Sequence, residues 1–329
     1  MRYLEVPTAK RWSAIGLGTW QFGSREWGYG GEYADGSGGE ASRIVARALE
    51  LGITVFDTAE VYGFGRSERI LGDALDTAGA DPATTVVASK VFPVLPVGPV
   101  VEQRGVASSA RVRRPLDLYQ VHQPNPLIRD ATTMAGMRTL QAAGVVDEVG
   151  VSNYSLERWR DAEAALGSRV LSNQVQYSLV SRAPERDLLP HAAAQGRVVI
   201  AYSPLAQGLL SGKFDAEHRP ANRVRSLNPL FLPESLRRAQ PLIDTLRAVA
   251  DAHDATPSQV ALAWTIHRPE VVAIPGASSV AQLESNAAAA EIALTGDEWT
   301  ALNAASERFR PVGGLSAAAE ILGQQVGLR

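Results

Sequence analysis

Four side chains stand where short apolar runs of the sequence end, and as a set they could move a proton. In "TVFDTAEVYG", Asp57 closes the run Val55–Phe56 and Tyr62 follows five residues later. Lys90 closes "VVASK" and His122 closes "LYQVH". Each alone has a plainer use. Asp57 would serve as a loop cap, Tyr62 as rim packing, Lys90 as a solvated cation and His122 as a satisfied core imidazole. Placed together they are harder to explain that way, because buried Lys, Asp and His are normally paired. A free phenol loses its proton near pH 10, and a neighbouring ammonium lowers that value by stabilising phenolate. Asp57 would hold Lys90 charged and oriented. Lys90 would make Tyr62 more acidic, and Tyr62 would protonate a developing alkoxide. His122 would hydrogen-bond the same oxygen and polarise it.

For this to work, one scaffold must bring the ends of several strands to one face. Eight apolar runs recur: "AIGLGTW" near 14, "ITVFDTA" near 53, "TTVVASK" near 84, "LDLYQVHQ" near 116, "DEVGVSN" near 147, "SNQVQYS" near 172, "VVIAYSPL" near 198 and "VVAIPG" near 271. Short runs rich in Val and Ile suit parallel strands covered on both faces. Helical segments lie between them. "GGEASRIVARALELG" stops at Gly52, "SERILGDALD" offers Ser67 as N-cap, and "LERWRDAEAALG" stops at Gly167. "TPSQVALAWTIHRP" starts on Thr256 with Pro257 in the first helical position and stops before Pro269. Strand and helix alternating eight times predict a single-domain (β/α)8 barrel over residues 1–329, with catalytic groups at the C-terminal ends of its strands. The long interval from Tyr202 to Ile274 holds "SGKFDAEHRPANRVRSLNPLFLPE", expected as a loop over one end of the barrel. "FRPVGGLSAAAEILGQQVGLR" is expected as a tail.

Bulk composition narrows the function. The 329 residues are 45% hydrophobic, enough for a large core, and carry 32 basic and 35 acidic side chains for a net charge of −3. No block of like charge points to nucleic acid or an anionic membrane. With no cysteine, disulfides, thiolate–metal sites and thiol catalysis are excluded. "MRYLEVPTAKRW" lacks the apolar core of a signal peptide, no run is long enough to span a bilayer, and a cytoplasmic location is expected.

"FDTAEVYG", "ASK" and "YQVHQP" together resemble the Asp, Tyr, Lys, His tetrad of the aldo-keto reductase superfamily, and the similarity runs from "GLGTW" to "IPGASSVAQLESN". The resemblance implies a (β/α)8 barrel and NADP(H)-dependent reduction of a small carbonyl substrate by Asp57, Tyr62, Lys90 and His122. It implies that Gly18, Thr19 and Trp20 lie beside the nicotinamide along with Asp57. Ser152, Asn153 and Gln174 would bind the carboxamide, although Ser152 and Asn153 also suit an N-cap for the following helix. Tyr202 would stack on the nicotinamide ring. Ser203, Pro204, Leu205, Gly208 and Lys213 would meet the pyrophosphate, and Gly276, Ser278, Gln282 and Asn286 the adenosine end. A helix N-terminus there would suit a phosphate. Better-known monomeric members often carry Lys and Arg where this chain has Gly276 and Gln282, and Ser285 stands in place of the usual Glu, so Arg223 in the long loop is taken as the 2′-phosphate partner. For the substrate, Trp20, Phe22 and Trp27 are candidates to line an apolar pocket, with Gln123 and Asn125 as polar groups at the mouth.

Two other functions stay open at this point. "GLLSGKF" and "IPGASS" also resemble potassium-channel β-subunits, which makes an NADP(H)-binding regulatory subunit with slow turnover an alternative. A Schiff-base lyase using Lys90 would leave Ser152, Asn153 and Gln174 without a purpose.

Overall fold

The computed structural model describes residues 1–23, 39–221, 225 and 227–313. Two short antiparallel strands, β1 (Tyr3–Leu4) and β2 (Trp12–Ser13), precede the main sheet. The main sheet then runs β3 (Leu17–Gly18), β4 (Val55–Asp57), β5 (Val86–Val91), β6 (Leu116–Val121), β7 (Val146–Ser152), β8 (Ser172–Gln176), β9 (Val198–Tyr202) and β10 (Val271–Ala273). Each strand pairs in parallel with the next. Parallel bridges Ile15–Ala273 and Gly18–Gly276 join the first strand to the last and close the ring. Close approach at this seam needs a glycine: a Cβ on Gly18 would lie 2.8 Å from the carbonyl oxygen of Ile274.

The eight strands are those expected from the apolar runs, and the fold is the (β/α)8 barrel. Helices α2 (Glu40–Glu50), α3 (Arg66–Thr77), α4 (Gly98–Val112), α5 (Asp130–Ala142), α6 (Leu156–Leu166) and α7 (Leu188–Gln195) follow successive strands. Helices Pro233–Ala252, Pro257–Thr265, Val280–Ala288 and Gly296–Arg308 come later. Thr256 caps its helix through a complete capping box with Gln259, which satisfies two end groups of the backbone at once. Among its described residues, the long segment after β9 is largely loop. A 3₁₀ turn at Pro229–Phe231 and the start of the helix at Pro233 take up its end.

Alternation along each strand divides the core in two. One set of side chains packs between sheet and helices. The other, including Val55, Val86, Ala88, Leu118, Val198, Ile200 and Val272, fills the inside of the barrel, and Trp12 joins it from the N-terminal ribbon. Farther along the same strands the inward positions become polar: Asp57, Lys90, Gln120 and Gln174 are all buried. The barrel is therefore apolar at the ends where its strands begin and ionic where they stop. Among the described residues, no helix is long and apolar enough to cross a membrane.

Helix α3 begins differently from expectation. Its N-cap is Gly65, and the helix starts at Arg66. Ser67 is instead buried and ties three elements together. It donates to the carbonyl of Thr19 and accepts from the Thr58 hydroxyl. A buried hydroxyl with these partners is already satisfied and is not available to cap a helix.

Candidate active site

Asp57 is the last residue of β4 and points into the barrel. Its Oδ1 accepts from Lys90 Nζ at 2.5 Å. Lys90 also donates to the carbonyl of Thr58 at 2.8 Å and reaches the Tyr62 hydroxyl at 3.3 Å. The ammonium is wholly buried, and these three oxygens are its compensation. Tyr62, half-buried, meets the His122 ring edge-on at a centroid distance of 5.7 Å. Phe92 packs edge-on against the other side of His122. The four residues singled out from their strand ends are thus brought together at one mouth.

Local backbone fixes Tyr62. Its N–H bonds to the carbonyl of Ala59 and its own carbonyl accepts from Ser67. Gly63 then turns with φ of +59°, and a Cβ there would stand 2.2 Å from the Gly23 oxygen. Only glycine allows both the turn and this crossing of two chain segments. Glu60, two residues before Tyr62, accepts from Arg104 and from the Phe92 N–H, linking the Tyr62 loop to the loop after β5.

The electrostatics differ from the sequence expectation in one respect. Burial pushes the Tyr62 phenol above its ordinary value; Lys90 pulls it down, Asp57 pushes it up, and the balance is upward. Desolvation is the force that the sequence argument left out. For Lys90, desolvation favours the neutral amine, but Asp57 and Tyr62 together outweigh it and raise the value. His122 is lowered to about 3 by burial and by the charge on Lys90, so its imidazole is neutral at any physiological pH. Its Nδ1 is buried without a partner.

Around the tetrad, β7 and β8 supply a polar shelf. Ser152 Oγ donates to the carbonyl of Gln174 at 2.9 Å, and Asn153 Nδ2 reaches Ser152 Oγ and the carbonyl of His122. Neither caps the next helix. That role belongs to Ser155, which accepts from Arg158 N–H. Gln174 Nε2 donates to Asp57 Oδ2 at 2.7 Å. Tyr202, half-buried at the end of β9, donates its hydroxyl to Asn153. Thr19 sits beneath, its N–H and hydroxyl both on the carbonyl of Asp57. Trp20 is half-buried and opens the short helix α1 (Trp20–Gly23).

The loop after β9 has an unusual backbone. Ser203, Ala206, Gln207 and Gly208 all have positive φ. Three are not glycine, at a cost of about 1–2 kcal/mol each. Such strain marks a loop shaped for a task, and turns of mixed handedness aim backbone N–H groups at anions. Pro204 is buried, Leu205 is half-buried and Lys213 is exposed along this loop. Beyond β10, Gln282 accepts from both the N–H and the hydroxyl of Ser278, and Asn286 reaches the carbonyl of Gly276 at 3.3 Å. These residues hold one short loop between Gly18 and helix Val280–Ala288. A strained anion-suited loop, a polar shelf and an aromatic at one mouth fit a dinucleotide in donor chemistry and placement.

Two substrate expectations are corrected. Phe22 is fully buried in the outer core, because α1 turns it away from the mouth. Asn125 is used up by its own loop: Nδ2 donates to Pro93, and Oδ1 accepts from Leu127 and Ile128. Gln123 is exposed. Trp27 and Arg223 lie outside the described residues. The sequence reading passed over Gln120, although its position two residues before His122 puts it on the same face of β6.

With fold and site in view, likeness to known proteins is specific. The chain belongs to the Aldo/keto reductase family, which matches residues 14–307, and it is an oxidoreductase of that family. It is 57% identical over 313 residues to an uncharacterised oxidoreductase of Mycobacterium tuberculosis, covering 95% of each chain. It is 35% identical over 294 residues to the methylglyoxal reductase YeaE of Escherichia coli, covering 89% of this chain and 90% of that one. An aldo-keto reductase from Klebsiella pneumoniae, solved in complex with NADPH, superposes with a TM-score of 0.72 at 28% identity, over 95% of this chain and 98% of that one.

Proposed function

We propose that this protein is an NADPH-dependent carbonyl reductase whose proton donor is Tyr62. The observation that carries the reading is the contact of the Tyr62 hydroxyl with Lys90 Nζ at 3.3 Å, on an ammonium held by Asp57. Bound NADPH supplies the hydride that a carbonyl carbon accepts. Ser152, Asn153 and Gln174 hold the carboxamide, and Tyr202 lies against the ring. The strained loop from Ser203 to Gly208, with Lys213, takes the pyrophosphate, and Gly276, Ser278, Gln282 and Asn286 take the adenosine end.

The chain's own groups manage the proton. Burial keeps the phenol of Tyr62 protonated at neutral pH, so the acid is loaded before reaction. Lys90 lowers the cost of phenolate as the proton leaves. Asp57 keeps that ammonium in place. His122, neutral, donates a ring N–H to the carbonyl oxygen without adding charge to the mouth.

The substrate proposed is a small aldehyde or ketone, with methylglyoxal the first choice on the name of the Escherichia coli relative. Consumption of NADPH and NADH against methylglyoxal, simple aldehydes and ketosugars tests the reading, alongside fluorescence titration of both cofactors. Saturable turnover with tighter NADPH binding is expected. Cofactor binding with no turnover on any carbonyl would contradict it.

A further inference from the structure

Gln120 has no place in the proton-transfer set described so far, yet it sits beneath it. It is fully buried on β6, with Lys90 as its cross-strand partner on β5. Its Nε2 stands 3.4 Å from Asp57 Oδ2, the oxygen that also receives Gln174. Its Oε1 is buried with no hydrogen-bond partner. An unpaired buried acceptor is unfavourable, and a side chain of similar volume such as Met would avoid it. Packing therefore does not explain an amide here, but the nitrogen end does have a target. The structure also makes room for it. Gly150 is the cross-strand neighbour on β7, and a Cβ there would meet Ser172 Oγ first and would lie 2.9 Å from Gln120 Cγ.

We propose that Gln120 is a positioning residue that keeps the Asp57 carboxylate turned toward Lys90 when Gln174 engages the cofactor. The proposal rests on the carbonyl-reductase reading above. Asp57 has two oxygens: Oδ1 is taken by Lys90, and Oδ2 by Gln174. In that reading Gln174 also engages the carboxamide, and in the proposal this draws its Nε2 off Asp57 Oδ2 rather than using Oε1 alone. A carboxylate deprived of one donor rotates easily, since its terminal torsion is broad. Gln120 is close enough that a shift of a few tenths of an ångström gives an ordinary hydrogen bond. It would hold Oδ2 in place and so leave Oδ1 on the ammonium.

Among the described residues, the charged and titratable groups around the reacting phenol are Asp57 on β4, Lys90 on β5, His122 after β6 and Tyr202 on β9. If Asp57 swings off Lys90, the ammonium is less neutralised and easier to deprotonate, and its field on Tyr62 grows. Both effects move the alkaline limb of the reduction rate to lower pH.

The test is Gln120→Met, which keeps the volume and removes the donor. NADPH affinity, measured by fluorescence titration, should not change. The kcat for NADPH-dependent reduction should fall about tenfold, the size of losing one hydrogen bond to a charged group. The alkaline limb of kcat should move to lower pH. A variant that melts at a different temperature but keeps the wild-type kcat and limb would show a structural role only and overturn the proposal. If Gln120→Met does not fold, Gly150→Ala crowds the Gln120 stem and should move the limb in the same direction; an unmoved limb overturns the proposal there too. Tyr62→Phe serves as the control. A wild-type profile unaltered by Tyr62→Phe overturns the underlying reading. A profile abolished by Tyr62→Phe but untouched by Gln120→Met overturns the role of Gln120 alone.

Discussion

Two Lys–Asp pairs among the described residues lie at opposite ends of the barrel strands, and they are put to different use. Near the start of the strands, Lys10 bonds Asp117. The remaining contacts of that pair go to the main chain: Lys10 to the carbonyl of Thr85, and Asp117 Oδ2 to the N–H of Val87. At the other end, Lys90 bonds Asp57, and their remaining contacts include the side chains of Tyr62, Gln174 and Gln120. Lys10 keeps 21% of its side chain exposed, whereas Lys90 keeps none. The same ion pair is a fastener where fixed backbone completes it. It becomes a candidate catalytic device where groups that can lose a proton or rotate complete it.

Breaking the two lysines separates these roles. Lys90→Met removes the charge proposed to support phenolate formation, and turnover is expected to fall about 10²–10⁴-fold, the range of a general acid's contribution. Steady-state kinetics on folded protein would check this, and a loss under tenfold would count against the role of Lys90. Lys10→Met should leave kcat almost unchanged but cost about 2–4 kcal/mol of stability, because it strands a largely buried carboxylate. Chemical denaturation at neutral pH would measure it. The pH dependence has a definite sign. Burial, only partly offset by Lys10, raises the Asp117 carboxyl above its ordinary value in the folded state. A carboxyl raised on folding binds its proton more tightly when folded. The cost of Lys10→Met is therefore full above the folded value and shrinks as pH falls through it. A cost that grew in acid would contradict this assignment.

A smaller effect concerns His122. With its value lowered to about 3 by burial and Lys90, it stays neutral, and kcat should show no inflection near pH 6.5. A pH–rate series with and without His122→Gln would reveal one if the imidazole titrates there.

How far the sequence reaches follows the same division. Runs apolar on both faces have only one good home, so all eight barrel strands were legible. So were helix ends with strong local chemistry, such as Gly167, with its positive φ, and the capping box at Thr256. The convergence of Asp57, Tyr62, Lys90 and His122 was legible because strand ends share a face. Local signals failed where tertiary partners competed. Ser67 suits an N-cap in sequence but is claimed by Thr19 and Thr58. Phe22 stands at the head of a glycine-rich stretch, yet a four-residue helix rotates it into the core. Asn125 bends back on its own loop. The upward balance on Tyr62 was hidden because desolvation depends on everything packed around it. The pairing of Lys10 with Asp117, 107 residues apart, left no trace in spacing.

The central claim is that Tyr62 delivers the proton while others hold cofactor and charge in place. Tyr62→Phe, assayed for NADPH oxidation with methylglyoxal and titrated with NADPH on the same sample, tests it most directly. Unchanged NADPH affinity with turnover reduced at least about 10²-fold is the predicted result. Turnover close to wild type on a substrate the wild-type protein reduces would contradict it.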